Sequence, residues 1–293
     1  MCRTDWDVLL KADDDELKDL LRDYPEVETI VARINGIEKV LARLLRNLGR
    51  DYIKVITTFY DEVGGAFNLA WNIGLQGQLA AILASERLID ELKAFFPKVS
   101  AEMAELIMSR VDKTAAFSYL NPRTVRFLES YSETLAGYIG QNSADKVLDV
   151  LTRGVQAGKS IDELTRELKE HDVFSRARAR RIAITETLTA YSVGEDEAYR
   201  QSPSVIGTRW QHTGARKNKP REAHVAMSGQ YRPIGEPFDV NGYPAMYPRD
   251  PALPAKERIS CHCTRKPVVD ERIIGLGEDE RQAIRDNVLS NFE

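Results

Sequence analysis

Cysteine is scarce in this sequence. Cys2, Cys261 and Cys263 are the three in 293 residues, too few for the disulfide framework that holds small secreted domains. A chain made and kept in a reducing cytoplasm is expected. No N-terminal stretch joins a basic segment to an apolar one, so export by a signal peptide is not expected. Long apolar runs are missing as well. The most apolar window, 63–83, is interrupted by Asn68, Asn72, Gln76 and Gln78, each of which would need a partner in lipid. Asn68, Asn72 and Gln76 recur every four residues, the pattern of a helix packed in protein with one polar stripe. No membrane partner is expected. A phosphate-cradling glycine loop, a Ser/His/Asp order and a His-Glu-x-x-His motif are all absent.

What is present is helix. At 43% hydrophobic and 29% charged residues the composition is that of a helical globular protein, long enough for two cores. Ile30, Ile34, Ile37, Leu41, Leu44, Leu45 and Leu48 form a helical stripe that Gly49 is expected to end. A second helix from about Asp51 should stop at Pro97, and Ser100 should cap a third. Asn121-Pro122 signals another start, running to about Ile139, with Ser143 opening the next and Gly158 closing it. Ser160 and Glu163 have capping-box spacing, and a helix over about 175–200 completes the run.

After Ser202 prolines and glycines crowd the chain and exclude long helices. Val205–Gln211 and Ile234–Val240 read as strands, Lys219–Met227 as a short helix, and Glu278–Asn291 as helix again. The expected fold is a mainly α N-terminal helical region followed by a small α+β, loop-rich C-terminal domain. Its divisions are 1–120, 121–202, 203–270 and 271–293.

Charge is unevenly spread over a net of -4: ten acids face four bases in residues 1–30, and twelve bases face six acids in residues 200–270. A basic C-terminal region suits phosphate, although most such imbalances are solvated surface. Arg176, Arg178, Arg180 and Arg181 form a basic knot, and Arg216, Lys217, Lys219 and Arg221 a second. Both are candidate contacts to nucleic acid or a protein partner. For the first knot the plainer alternative is ion pairing with Glu167, Glu170 or Asp172. No aromatics interleave, so base stacking is not indicated. Glu186, in an apolar stretch, is expected to be partly buried and paired with a nearby arginine.

Two of the three cysteines and three of the four histidines fall within His212 to Cys263. Thiolate and imidazole suit zinc, and His212, His224, Cys261 and Cys263 make a Cys2His2 donor set. The Cys-x-Cys spacing is a weaker clip than Cys-x2-4-Cys, and the competing reading is two buried thiols and two histidines satisfied by backbone. A hydrolase on these residues has no carboxylate at motif spacing to activate water, so no catalytic residue is assigned.

The run Arg181-Ile-Ala-Ile-Thr-Glu-Thr187 precedes Gly194 and Ala198-Tyr199. Trp210, Thr213-Gly214, Arg221, His224-Val-Ala-Met-Ser-Gly-Gln230, Phe238 and Cys261-His-Cys263 follow in order. This series resembles the ordered motifs of the phage Mu F-like head-morphogenesis proteins, over roughly residues 140 to 268. The resemblance implies a minor capsid protein present in few copies, associated with the portal during procapsid assembly and genome packaging or ejection. Its implied partners are portal protein, major capsid or scaffolding protein, and phage DNA. Its implied place is the procapsid and virion interior, after synthesis in the bacterial host. Thr185, Glu186, Trp210, Met227, Gly229 and Phe238 would be fold determinants, and residues 1–120 a docking region. Ala215 stands about where many members carry an acid, which argues against any activity that needs it. The alternative is a metal-dependent nucleic-acid enzyme or toxin delivered with the genome.

Overall fold

The computed structural model describes residues 13–65, 71–82, 86–112, 116–213 and 221–290. Cys2, Asn68, Gly214, Ala215, Arg216, Lys217 and Lys219 lie outside them, as does Asn291 at the expected end of the last helix. Seven helices fill the first two thirds of the described chain: α1 (Asp14–Leu20), α2 (Val27–Glu62), α3 (Trp71–Ile82), α4 (Glu86–Val111), α5 (Pro122–Gln156), α6 (Ile161–Glu170) and α7 (Arg176–Gln201). The start signals act as read. The Asn121 side chain accepts the Arg123 N–H at 2.7 Å, Ser160 and Glu163 cap each other reciprocally, and Gly158 takes φ +71 past the end of α5.

Three expected breaks do not occur. Gly49 lies inside α2, where a Cβ would sit 2.9 Å from the Phe174 ring, so this glycine serves close packing and does not end the helix. Pro97 lies inside α4, although it cannot donate to the carbonyl four residues back. Its neighbours Phe96 and Val99 are buried, and the core they join outweighs the local penalty. Ser100 therefore caps nothing, and its hydroxyl donates to the Ala190 carbonyl at 3.0 Å. Ser143 sits mid-helix in α5 with its hydroxyl turned back to the Ile139 carbonyl at 2.7 Å. Buried Leu135, Ile139, Ala144, Val147 and Leu151 run past it without interruption, so tertiary packing carries the helix through.

The remainder is β1 (Val205–Gln211), α8 (Glu222–Ala226), β2 (Tyr231–Pro233), β3 (Phe238–Val240), β4 (Tyr243–Ala245), α9 (Ala255–Arg258), β5 (Thr264–Val269), α10 (Glu271–Ile274) and α11 (Glu278–Ser290). β1 is the centre of an antiparallel sheet of order β2-β1-β5, and β3 and β4 form a hairpin. Of the expected strand Ile234–Val240, Phe238–Val240 is extended. The hairpin turn is Asn241-Gly242, with φ +55 and +85, the pair of left-handed residues a two-residue turn requires.

The described chain forms two compact units. One comprises Met1–Ile34, Phe96–Phe127 and Ile184–Glu293, the other Asn35–Phe95 and Leu128–Ala183. The expected division near residue 202 follows composition, whereas packing joins the second half of α7 to the strands. In the second unit Tyr52, Ile56, Leu75, Val147, Leu151, Leu164 and Phe174 belong to one core. In the first, Trp210, Met227, Phe238, Val240, Ala245, Leu253, Cys261 and Cys263 form a separate apolar cluster. Among the described residues no helix is long and apolar enough to cross a membrane.

Candidate metal centre

Antiparallel pairing puts Gln211 of β1 opposite Thr264 of β5. His212 and Cys263, one step beyond on each strand, therefore meet, and the His212 Nδ1 lies 3.7 Å from the Cys263 Sγ. Cys261 is two residues away in the same non-helical segment and follows Ser260, whose φ of +64 turns the chain after α9. His224 comes from α8. The return of that helix to the sheet is fixed by Gly229 N–H on the Trp210 carbonyl and Trp210 N–H on the Gln230 carbonyl, at 2.8 and 2.9 Å.

The His224 Nδ1 lies 3.5 Å from the Cys261 Sγ and 3.7 Å from the Cys263 Sγ. The three donor atoms of His224, Cys261 and Cys263 lie within 4.8 Å of one another. All three residues are buried, at 2, 3 and 2% exposure. Zinc at about 2.3 Å from sulfur and about 2.05 Å from nitrogen gives a tetrahedral N···S edge of about 3.6 Å. The three N···S separations match that edge. His212 is part-exposed and shares one such edge, with Cys263.

The neighbouring Cys263 thiol holds Cys261 well below the ordinary thiol range, with His224 and Arg249 lowering it further against burial. The Cys261 thiol and burial push Cys263 above that range. Burial lowers His212 and takes His262 down to about 4. His262 is held through its backbone: its carbonyl accepts from the Thr213 hydroxyl and from the Tyr24 hydroxyl at 2.8 Å.

Three residues that sequence reasoning did not single out complete the surroundings. The fully buried Arg249 donates to the Cys261 and Cys263 carbonyls at 3.0 and 2.6 Å and to the Ser192 hydroxyl at 2.6 Å. Glu257 accepts from the His224 ring at Nε2, 3.1 Å away, and Asn241 donates to its other oxygen at 3.1 Å. Burial alone would raise the Glu257 carboxyl, but the bonds from Asn241 and His224 outweigh it and hold it low. An isolated Arg, Glu or Asn carries no spacing signal. Asn241 alone had a local one, its place ahead of Gly242 in a hairpin turn.

The other candidate residues are dispersed. Arg176 and Arg180 share the buried Glu38, each at 2.6 Å, and not the acids expected of them. Arg178 donates to the Ser143 hydroxyl and to the Val173 and Ile139 carbonyls. Arg181 carries an interaction within the protein. Arg221 donates to the Ile259 carbonyl at 2.6 Å and stands 3.9 Å from Glu257. Glu186 is buried with Arg258 at 3.9 Å, an arginine distant in sequence. Thr185 is buried on α7, while Trp210 packs edge-to-face on Phe238, ring centroids 5.3 Å apart, beside Met227. Gly229 takes φ +87, which other residues rarely adopt.

Residues 145–266, which contain this cluster, match the family model described as Phage Mu protein F like protein. The chain is also 35% identical over 281 residues to the uncharacterized protein YqbB of Bacillus subtilis (strain 168), covering 95% of this chain and 92% of that one. The chain belongs to the phage Mu F-like family. A further relative of this Mu F-like protein is the NAD(+)--arginine ADP-ribosyltransferase EFV of Enterococcus faecalis (strain ATCC 700802 / V583), 28% identical over 192 residues. That match takes in 64% of this chain and spans about a third (36%) of the transferase. No solved structure matches the chain significantly. Trp210, Met227, Phe238, His224 and the cysteine pair, which carry the Mu F-like motifs, lie together around the candidate centre.

Proposed function

We propose that this protein is a minor structural component of a phage head, acting by docking on portal and on major capsid or scaffolding protein during procapsid assembly and genome packaging. Its place is the procapsid and virion interior. Its C-terminal module is held by a zinc ion on His224, Cys261 and Cys263, with His212 as fourth ligand. The observation that carries the structural reading over an enzymatic one is the burial of the donor atoms. An ion among three buried ligands, closed by a fourth, has no open position for water or substrate, and closed four-ligand sites are the structural kind. The transferase relative lends its activity to no residue here, because the match spans a minor part of it. Contact with phage DNA falls to Arg216, Lys217 and Lys219, since Arg176, Arg178 and Arg180 are engaged within the protein.

The test is assembly with the portal and capsid proteins of the same phage. Wild-type protein is expected to sediment with procapsids, and Cys261→Ser to be lost from them, with no cleavage of plasmid DNA by either in divalent metal. Normal incorporation of Cys261→Ser, or metal-dependent DNA cleavage by the wild type, would overturn the reading.

A further inference from the structure

We infer that Glu257 is the positioning residue of the metal centre, fixing His224 as an Nδ1 ligand; this rests on the zinc reading above. The Glu257 carboxylate can only accept, so the His224 Nε2 that lies 3.1 Å from it must carry the proton. In the neutral ring, the form that can ligate a metal, the lone pair is then on Nδ1, the atom that faces both sulfurs at 3.5 and 3.7 Å. The imidazole is thereby locked in the tautomer and the ring orientation that a metal on that side requires. A carboxylate behind a ligating histidine is a recurrent arrangement, since it also raises the basicity of the ligand nitrogen.

Glu257 is not itself a ligand, because it binds the nitrogen on the far side of the ring from the thiols. Nor is it a surface acid that happens to reach a histidine. It is 5% exposed, and its two oxygens are divided between His224 and Asn241. Asn241 is in the β3–β4 turn and Arg221 at the start of α8, so two elements besides α9, which carries it, hold one carboxylate against one ring. A bare hydrophobic cluster of two thiols and an imidazole does not need this. The histidine could take its second hydrogen bond from any backbone group, and burying a carboxylate for that purpose is costly.

The test uses the full chain, reconstituted with Zn2+ and separately with Co2+, with zinc affinity read by chelator competition and ligand geometry by the cobalt absorption spectrum. Glu257→Ala is expected to bind zinc about 10- to 100-fold more weakly and to shift the cobalt bands, as loss of such a partner does elsewhere. Glu257→Gln, which keeps an acceptor oxygen, should recover part of that loss. Asn241→Ala, which leaves the carboxylate in place, covers the case in which Glu257→Ala does not fold, and should weaken zinc less. Zinc affinity and cobalt bands unchanged in Glu257→Gln and Asn241→Ala, with at most a lower melting temperature, would overturn the positioning role and leave the zinc reading standing. A wild-type chain that takes up neither metal would overturn both.

Discussion

His224 presents its two ring nitrogens to different partners, thiols on one side and a carboxylate on the other. The donor set itself was legible in the sequence, because cysteine and histidine are rare here and fall together. The residues behind it were not, since Glu257 and Arg249 are chemically ordinary and act from 33 and 12 residues away from the partners they hold. Buried charge elsewhere gives a test at the same scale. Glu197 is buried and accepts from the Asn121 N–H and the Thr124 hydroxyl; burial raises its carboxyl above the usual value of 4.5, with those two bonds opposing. A group that is harder to ionise folded than unfolded costs stability above its folded pKa, and the cost disappears as pH falls through that value. Relative to wild type, Glu197→Gln should therefore be most favoured at about pH 8 and lose that advantage towards about pH 4.5. Melting temperatures of both chains across that range check it, and a pH-independent difference would contradict it.

At the scale of elements, the helix starts were readable and several helix ends were not. Caps are local: Asn121, Ser160 and Glu163 meet backbone groups two or three residues away, so the sequence contains the whole interaction. Gly49, Pro97 and Ser143 mislead the same local logic, because their surroundings are supplied by distant chain. Phe174 lies on Gly49, and Ser143 turns its hydroxyl to Ile139 while receiving Arg178. The fold class was legible because it depends on period and punctuation, which do not require knowing the partner. Gly194 shows the cost of such long-range fit. A Cβ there would stand 2.3 Å from the Ser100 carbonyl oxygen and 3.0 Å from the Ala104 nitrogen, and backbone cannot move aside as a side chain can. Gly194→Ala should lower unfolding free energy by about 1–3 kcal/mol, the usual cost of overpacking. Denaturant titration reads this directly, and wild-type stability would show that α4 and α7 are not in backbone contact at this point.

For the whole molecule, the family and the site bear on each other. Trp210, His224, Met227, Phe238 and the cysteine pair converge on one small, loop-rich module whose apolar cluster, among the described residues, is eight buried residues, two of them the cysteines. A module of that size gains most from a cross-link, and a metal joining β1, α8 and the segment before β5 would supply one. On the function proposed above, the ion is part of the fold. The most direct measurement is the metal content of the purified full chain by elemental mass spectrometry, for wild type and for the Cys261→Ser, Cys263→Ser double variant. One zinc per wild-type chain and none in the variant is the expected result. A wild-type chain purified without chelator and free of zinc, yet folded and stable, would contradict it.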